Sequence, residues 1–161
     1  MTKLSAGLIS GAIVAALVGP VAATAAPDRE AAVLEAAFRQ QIEEHLDPAE
    51  RARGTVLCLA IDPGGAPQSP SPALMLRLSG RGRVRRAAEC DPRPGGAVEA
   101  QTLRRAIIVT VGPIDWLAED EARVAVFIFE SARVSAHRTY RVVKEGSRWV
   151  SLGPVILDGP A

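Results

Sequence analysis

The stretch TYRVVKEGSRWVSLG, residues 139–153, decides the fold that the sequence predicts. Two runs rich in β-branched and aromatic residues flank the turn former Glu145-Gly146-Ser147. Residues of this kind on both sides of a short glycine turn are typical of a β-hairpin. The chain therefore ends in two antiparallel strands, and we expect the preceding segments to add to the same sheet.

Four more strand candidates lie upstream of this hairpin, at residues 55–61, 83–90, 106–111 and 122–131. The first is apolar on both faces, which predicts a central or well-covered strand, whereas the last alternates with period two. Because most of the connections look like turns and loops, we predict an antiparallel meander of about five to six strands.

A single long helix is predicted before the strands, from Asp28 to Leu46. Leu34, Phe38 and Ile42 recur at four-residue spacing and form one apolar face. Asp28 is a candidate N-cap, and the proline at position 48 favours an end just before it. One helix followed by a run of strands indicates the α+β class.

The helix, the strands and the closing Y-R-V-V-x-E-G-x-R-W-V hairpin together resemble the small secreted α+β domains of the NTF2-like or cystatin-like type. The resemblance implies a long N-terminal helix packed on a bent antiparallel sheet. It is close only over residues 139–153, where Tyr140 and Trp149 would fill a core and Gly146 would make the turn. That is a packing motif, so the resemblance transfers no catalytic residue. Domains of this type serve as enzymes and as binding modules.

Residues 1–25 are predicted to be a cleavable signal peptide. Lys3 is followed by an apolar run that Gly19-Pro20 interrupts, and Ala23-Thr24-Ala25 has the small-residue pattern of a cleavage site. The run is shorter than the roughly 20 apolar residues of a membrane span. We therefore expect residues 26–161 to form a single α+β domain that is periplasmic or secreted and has no membrane span after cleavage.

Cys58 and Cys90 are the only two cysteines of the chain. In an exported protein an even pair predicts a disulfide, and the loop that it closes would contribute about 3.5–4 kcal/mol in the chain-entropy model. The alternative is a reactive thiol or a metal-binding pair, for which the CxxC spacing is missing.

Five arginines stand between residues 77 and 86, and Arg81, Arg83 and Arg85 are the candidate binding residues among them. Loss of Lys3 with the signal peptide would leave 18 basic against 18 acidic residues. Nucleic-acid binders usually carry a basic surplus and stacking aromatics. We therefore expect no nucleic-acid partner. A solvated or internally paired arginine face is the favoured interpretation, and a site for an anionic partner is the alternative.

Two further residues are candidates for binding. His137 lies on the polar face of a predicted strand, and Trp116 could either anchor a partner or pack in the core. The other histidine, His45, stands near the end of the helix, where the helix dipole favours its protonated form. The two histidines lack the spacing of a metal site, and no cofactor motif or catalytic motif is present.

These observations predict an exported, non-enzymatic protein that binds another protein or a small-molecule ligand. The alternative is a small NTF2-like enzyme that performs acid–base chemistry in the sheet cavity with His137 or Asp115. An enzyme of that kind should bring two or more ionisable groups together in one pocket.

Overall fold

A computed structural model describes residues 25–156 of the chain and shows an α+β architecture. A long helix packs on a six-stranded sheet, and a two-stranded sheet lies beside it. The elements in chain order are α1 (Ala25–His45), α2 (Pro48–Arg53), β1 (Val56–Ile61), α3 (Pro72–Ser79), β2 (Val84–Arg86), a 3-10 turn (Ala87–Glu89), β3 (Cys90–Asp91), β4 (Val98–Glu99), β5 (Ala106–Ala118), β6 (Glu121–Ser131), β7 (Val134–Glu145) and β8 (Arg148–Val155).

The predicted helix is confirmed with different ends. It begins at Ala25, three residues before the expected N-cap, so Asp28 lies in the first turn. It ends at His45, and the next helix starts after Asp47, whose carboxylate accepts a hydrogen bond from the Glu50 backbone N–H at 2.7 Å. Phe38 in the middle of α1 is completely buried, as the four-residue spacing predicts.

The prediction of an antiparallel sheet is wrong, because the six-stranded sheet is mixed. Its strand order is β2-β1-β5-β6-β7-β8, and β1 pairs in parallel with both β2 and β5. The connection from β1 to β2 passes through α3, which makes it a strand–helix–strand crossover instead of a hairpin. Only the part from β5 to β8 forms the predicted antiparallel meander.

The hairpin of β7 and β8 is confirmed. Glu145 pairs with Arg148, and Gly146 adopts a positive φ of 62° in the two-residue turn between them. Such turns need a left-handed backbone conformation that glycine adopts without strain. Tyr140 and Trp149 are both buried in the core, as expected for a packing motif.

The two faces of the sheet are covered by different elements. The main core lies between α1 and the inner face, where Leu57, Val109, Val124 and Tyr140 are buried. A smaller cluster on the outer face surrounds the disulfide between Cys58 and Cys90. The predicted cystine is therefore confirmed, and it ties the segment after β2 to the central strand β1.

The predicted signal peptide falls almost entirely on residues 1–24, which lie outside the described residues. Within residues 25–156, no helix combines the length and the hydropathy that a membrane span requires.

Candidate functional site

The first candidate site lies between α1 and β8, the strand at one edge of the sheet. Two adjoining cavities of about 200 and 250 Å³ occupy this space, which we call the α1–β8 groove. A larger cavity of about 570 Å³, to which Arg29 and Lys144 contribute, shares Ala32, Ser147 and Trp149 with the first of them. Its walls are Ala32, Glu35, Ala36, Arg39, Gln40 and Glu43 of α1, Arg81 after α3, Ser147 in the turn, and Arg148, Trp149, Val150 and Ser151 of β8.

Local geometry explains why these side chains share one groove. Residues 32, 36, 39 and 43 recur at spacings of three and four, so they lie along one side of α1. Trp149 and Ser151 are two residues apart on β8 and therefore point to the same face of the sheet. Trp149 is 8% exposed and forms an apolar wall, while Arg148 beside it is exposed.

Two buried polar atoms of the groove lack a hydrogen-bond partner among residues 25–156. They are Nε of Arg39 and Oγ of Ser151. Another nitrogen of the Arg39 guanidinium pairs with Glu35, whose second oxygen accepts a hydrogen bond from Arg77 Nε at 2.5 Å. An unpaired buried donor or acceptor costs about 1–3 kcal/mol of desolvation, so these two atoms lower the stability of the groove wall.

The three candidate arginines do not form one patch. Arg81 lines the groove and pairs with Glu43 of α1 at 3.1 Å. The Arg83 guanidinium lies beside Gly54. Arg85 donates to the buried Glu99 carboxylate at 2.6 Å. Of the three, only Arg81 lines the groove.

Glu99 is the buried carboxylate that Arg85 neutralises. Hydrogen bonds from the Thr102 hydroxyl and from Arg85 hold the pKa of Glu99 below its usual range. Glu99 belongs to β4, which pairs with the disulfide strand β3. Arg85 therefore joins the central sheet to the small sheet, which is a structural role.

Trp116 is half-buried and packs against the main core. Its ring meets that of Trp149 in an edge-to-face arrangement, with centroids 5.8 Å apart. The Arg29 guanidinium lies 3.8 Å from the centroid of the Trp116 ring, within the range of a cation–π contact. Trp116 thus supports Trp149, which forms the wall of the groove.

His137 lies on the outer face of the sheet, away from α1. Its ring stands 4.5 Å from that of Phe127, measured between centroids. Asp115 pairs in register with Arg123, which lies four residues from Phe127 on β6. Four residues of a strand span roughly 13 Å, so the structure does not bring His137 and Asp115 together.

A second candidate site lies where the C-terminal end of α1 meets β7. Five residues meet there and are called the Tyr140 cluster: Gln41, Glu44, His45, Arg138 and Tyr140. The Tyr140 hydroxyl donates to Glu44 at 2.7 Å, and Arg138 stands 3.5 Å from the same carboxylate. Gln41 is completely buried beside the Tyr140 hydroxyl, and neither its amide nitrogen nor its amide oxygen makes a hydrogen bond of normal geometry among the described residues.

Burial shifts the pKa values of two residues of the Tyr140 cluster in opposite directions. Burial lowers the pKa of His45, and burial raises the pKa of the Tyr140 hydroxyl. Nε2 of His45 is buried without a partner among the described residues. The imidazole is therefore favoured in its neutral form, contrary to the protonated form expected from its place at the helix end, and the raised pKa makes the Tyr140 phenol a weaker acid.

Sequence reasoning missed Gln41, Glu44 and Tyr140 as site residues. The signal for Gln41 was present, since it stands three residues after Phe38 on the apolar face of the helix.

Within residues 25–156 no group of three or more histidine, cysteine or acidic side chains could hold a metal ion.

Comparison of the chain with protein-family models, with curated proteins and with solved structures found no match.

Proposed function

We propose that this chain is an exported, non-enzymatic protein that binds a ligand in the α1–β8 groove. The observation that carries the proposal is the groove itself, where the apolar wall of Trp149 stands beside the polar residues Arg39 and Ser151. The disulfide between Cys58 and Cys90 is consistent with a periplasmic or extracellular location.

The lining of the groove supports binding over acid–base catalysis. Arginine and glutamate are its only ionisable side chains, and no histidine, cysteine or tyrosine stands among the residues that line the two cavities. Arginine keeps its proton at all physiological pH values, so it orients a ligand but does not exchange protons with it. The two glutamates, which could exchange protons, are each held in an ion pair, Glu35 with Arg39 and Glu43 with Arg81.

A tryptophan placed in the groove tests the proposal. Ala32 is half-buried at the wall of the groove, whereas Ala52 is exposed on α2 and serves as the matched control. We expect the small-molecule fraction of a periplasmic extract to raise the melting temperature of the wild type and of Ala52→Trp, because a ligand that binds the native state stabilises it. Ala32→Trp should lose that increase. Equal stabilisation of both variants would contradict groove binding.

Export has its own test. Expression of the full chain in a bacterium should yield a periplasmic or secreted product whose first residue is Ala26, as read by mass spectrometry of the intact protein. A product that retains Met1 and stays in the cytoplasm would contradict the proposed signal peptide.

We also propose that the helix-on-sheet arrangement is of the NTF2-like or cystatin-like type. The parallel pairing of β1 departs from the antiparallel sheet that this type implies.

A second candidate function is a small NTF2-like enzyme, now centred on the Tyr140 cluster in place of His137 and Asp115. The convergence of Tyr140 and Arg138 on the Glu44 carboxylate favours it. Its test is a search for turnover of periplasmic metabolites by NMR with the wild type and with Tyr140→Phe. Turnover that Tyr140→Phe abolishes while the fold is retained would favour the enzyme over the binding protein.

A further inference from the structure

We propose that two copies of this chain pair through the free edge of β8, so that their two sheets join into one continuous sheet across a two-fold axis. The two copies of Val150 stand opposite each other on that axis. This inference concerns an interaction surface, and it does not depend on ligand binding in the α1–β8 groove.

The two edges of the six-stranded sheet differ in how they are protected. At one edge β2 has only three residues, and two of them are Arg85 and Arg86. Short length and charge are the usual means by which an edge strand avoids pairing with another chain. At the other edge β8 has eight residues, and its stretch 149–152 carries no charge. No described residue pairs with the outer side of β8.

The free edge of β8 presents the backbone groups of Trp149 and Ser151. The residues that flank the two-residue turn form a hydrogen-bonded pair, so the next pair, Lys144 with Trp149, exchanges no hydrogen bonds. The Lys144 N–H agrees with this alternation, because it donates at 2.8 Å to Asp120, in the turn before β6. The N–H and C=O groups of Trp149 and Ser151 therefore point away from β7, where another extended strand can bind them.

The order of these groups makes a second copy of β8 the matching partner. In an antiparallel pair centred on Val150, Trp149 of one copy lies opposite Ser151 of the other, and the two residues exchange both hydrogen bonds. A large side chain then meets a small one on the inner face of the sheet. Arg148 falls near Leu152 of the other copy, which is 53% exposed in the single chain, so no like charges oppose each other.

The same strand limits the contact to two copies. The register of β7 and β8 shifts beyond Ser151, and Pro154 has no N–H to donate. The pairing therefore ends a few residues from Val150 on either side. Because the contact is symmetric, it uses the β8 edge of both copies and closes the assembly as a dimer.

Sedimentation velocity of the oxidised mature protein from about 10 µM to about 1 mM tests the proposal. We expect a reversible monomer–dimer equilibrium without larger species. Val150→Lys should raise the dissociation constant by about tenfold or more, because it places two like charges opposite each other on the two-fold axis. Val143→Lys is the matched control. Val143 pairs with Val150 inside the chain and is also half-buried, but it lies one strand away from the edge, so the dimer should persist.

Cysteine cross-linking tests the register and decides the matter if Val150→Lys loses the fold, as judged by circular dichroism. Val150→Cys should yield a disulfide-linked dimer under mild oxidation, since opposite residues of a strand pair lie within the roughly 7 Å that a disulfide spans. Val143→Cys should yield none, because three strand spacings of about 4.8 Å would separate its two copies.

Three results would overturn the proposal. The first is a single monomeric species over the whole concentration range, together with no cross-linking of Val150→Cys. The second is a dimer that a correctly folded Val150→Lys variant forms as tightly as Val143→Lys does. The third is equal cross-linking of the two cysteine variants, which would place the contact on a surface other than the β8 edge.

Discussion

Gln41→Met should stabilise the protein, although it removes a polar side chain that lies among the other residues of the Tyr140 cluster. Gln41 is completely buried, and both polar atoms of its side chain lack partners in the described structure. Each such atom costs about 1–3 kcal/mol of desolvation that no hydrogen bond offsets. Methionine has a similar volume and nearly the same helix propensity. We therefore expect the free energy of unfolding to rise by about 1–3 kcal/mol, allowing for imperfect packing.

The neighbouring glutamine provides the matched control. Gln40 donates to Glu44 at 2.8 Å and is only half-buried, so Gln40→Met should lower stability by at most about 0.5 kcal/mol. Urea unfolding of the oxidised proteins, followed by far-UV circular dichroism, measures both differences if the m-values agree. A loss of stability in Gln41→Met beyond that of Gln40→Met would refute the reasoning, because it would show that the buried amide has a partner in solution.

Three other predictions concern stability. Reduction of the Cys58–Cys90 disulfide should lower the free energy of unfolding by about 3.5–4 kcal/mol in the chain-entropy model, and an unchanged urea midpoint would show that the bond contributes little. Burial lowers the pKa of His45, so the unfolded state binds the proton more strongly and stability should fall as the pH decreases from 7.5 to 5.5. His45→Gln should flatten this dependence. Arg85→Gln should cost about 1.5–3 kcal/mol, since it removes a hydrogen bond to a buried carboxylate. Arg81→Gln, which loses a surface ion pair, should cost less than about 1 kcal/mol, and equal losses would contradict the assignment.

Much of the fold follows from local patterns. The apolar spacing of the first helix, the run at residues 55–61 and the glycine turn at Gly146 each specify one element, and the structure contains all three. The mixed sheet did not follow, because strand direction depends on how distant segments pair. One signal was available: Ser71-Pro72 predicts the start of a short helix over residues 73–78, between two strand candidates. The structure contains this helix, and a strand–helix–strand crossover is typical of parallel pairing.

The sites were harder to predict than the fold. Arg39 is distant in sequence from Arg148 and Ser151, and the three line one groove only because α1 packs beside β8. The arginine-rich segment was visible, yet its side chains separate, since Arg81 faces α1 while Arg85 faces the small sheet. A clustered sequence pattern therefore did not correspond to a clustered surface.

The central claim is that the α1–β8 groove, and not the Tyr140 cluster, is the functional site. The most direct test is a set of two-dimensional ¹⁵N NMR spectra of the oxidised mature protein, titrated with the small-molecule fraction of a periplasmic extract. Our account predicts saturable shifts at the backbone amides of Arg39, Trp149 and Ser151, with the added molecules chemically unchanged. Shifts confined to His45 and Tyr140, accompanied by conversion of an added molecule, would contradict it.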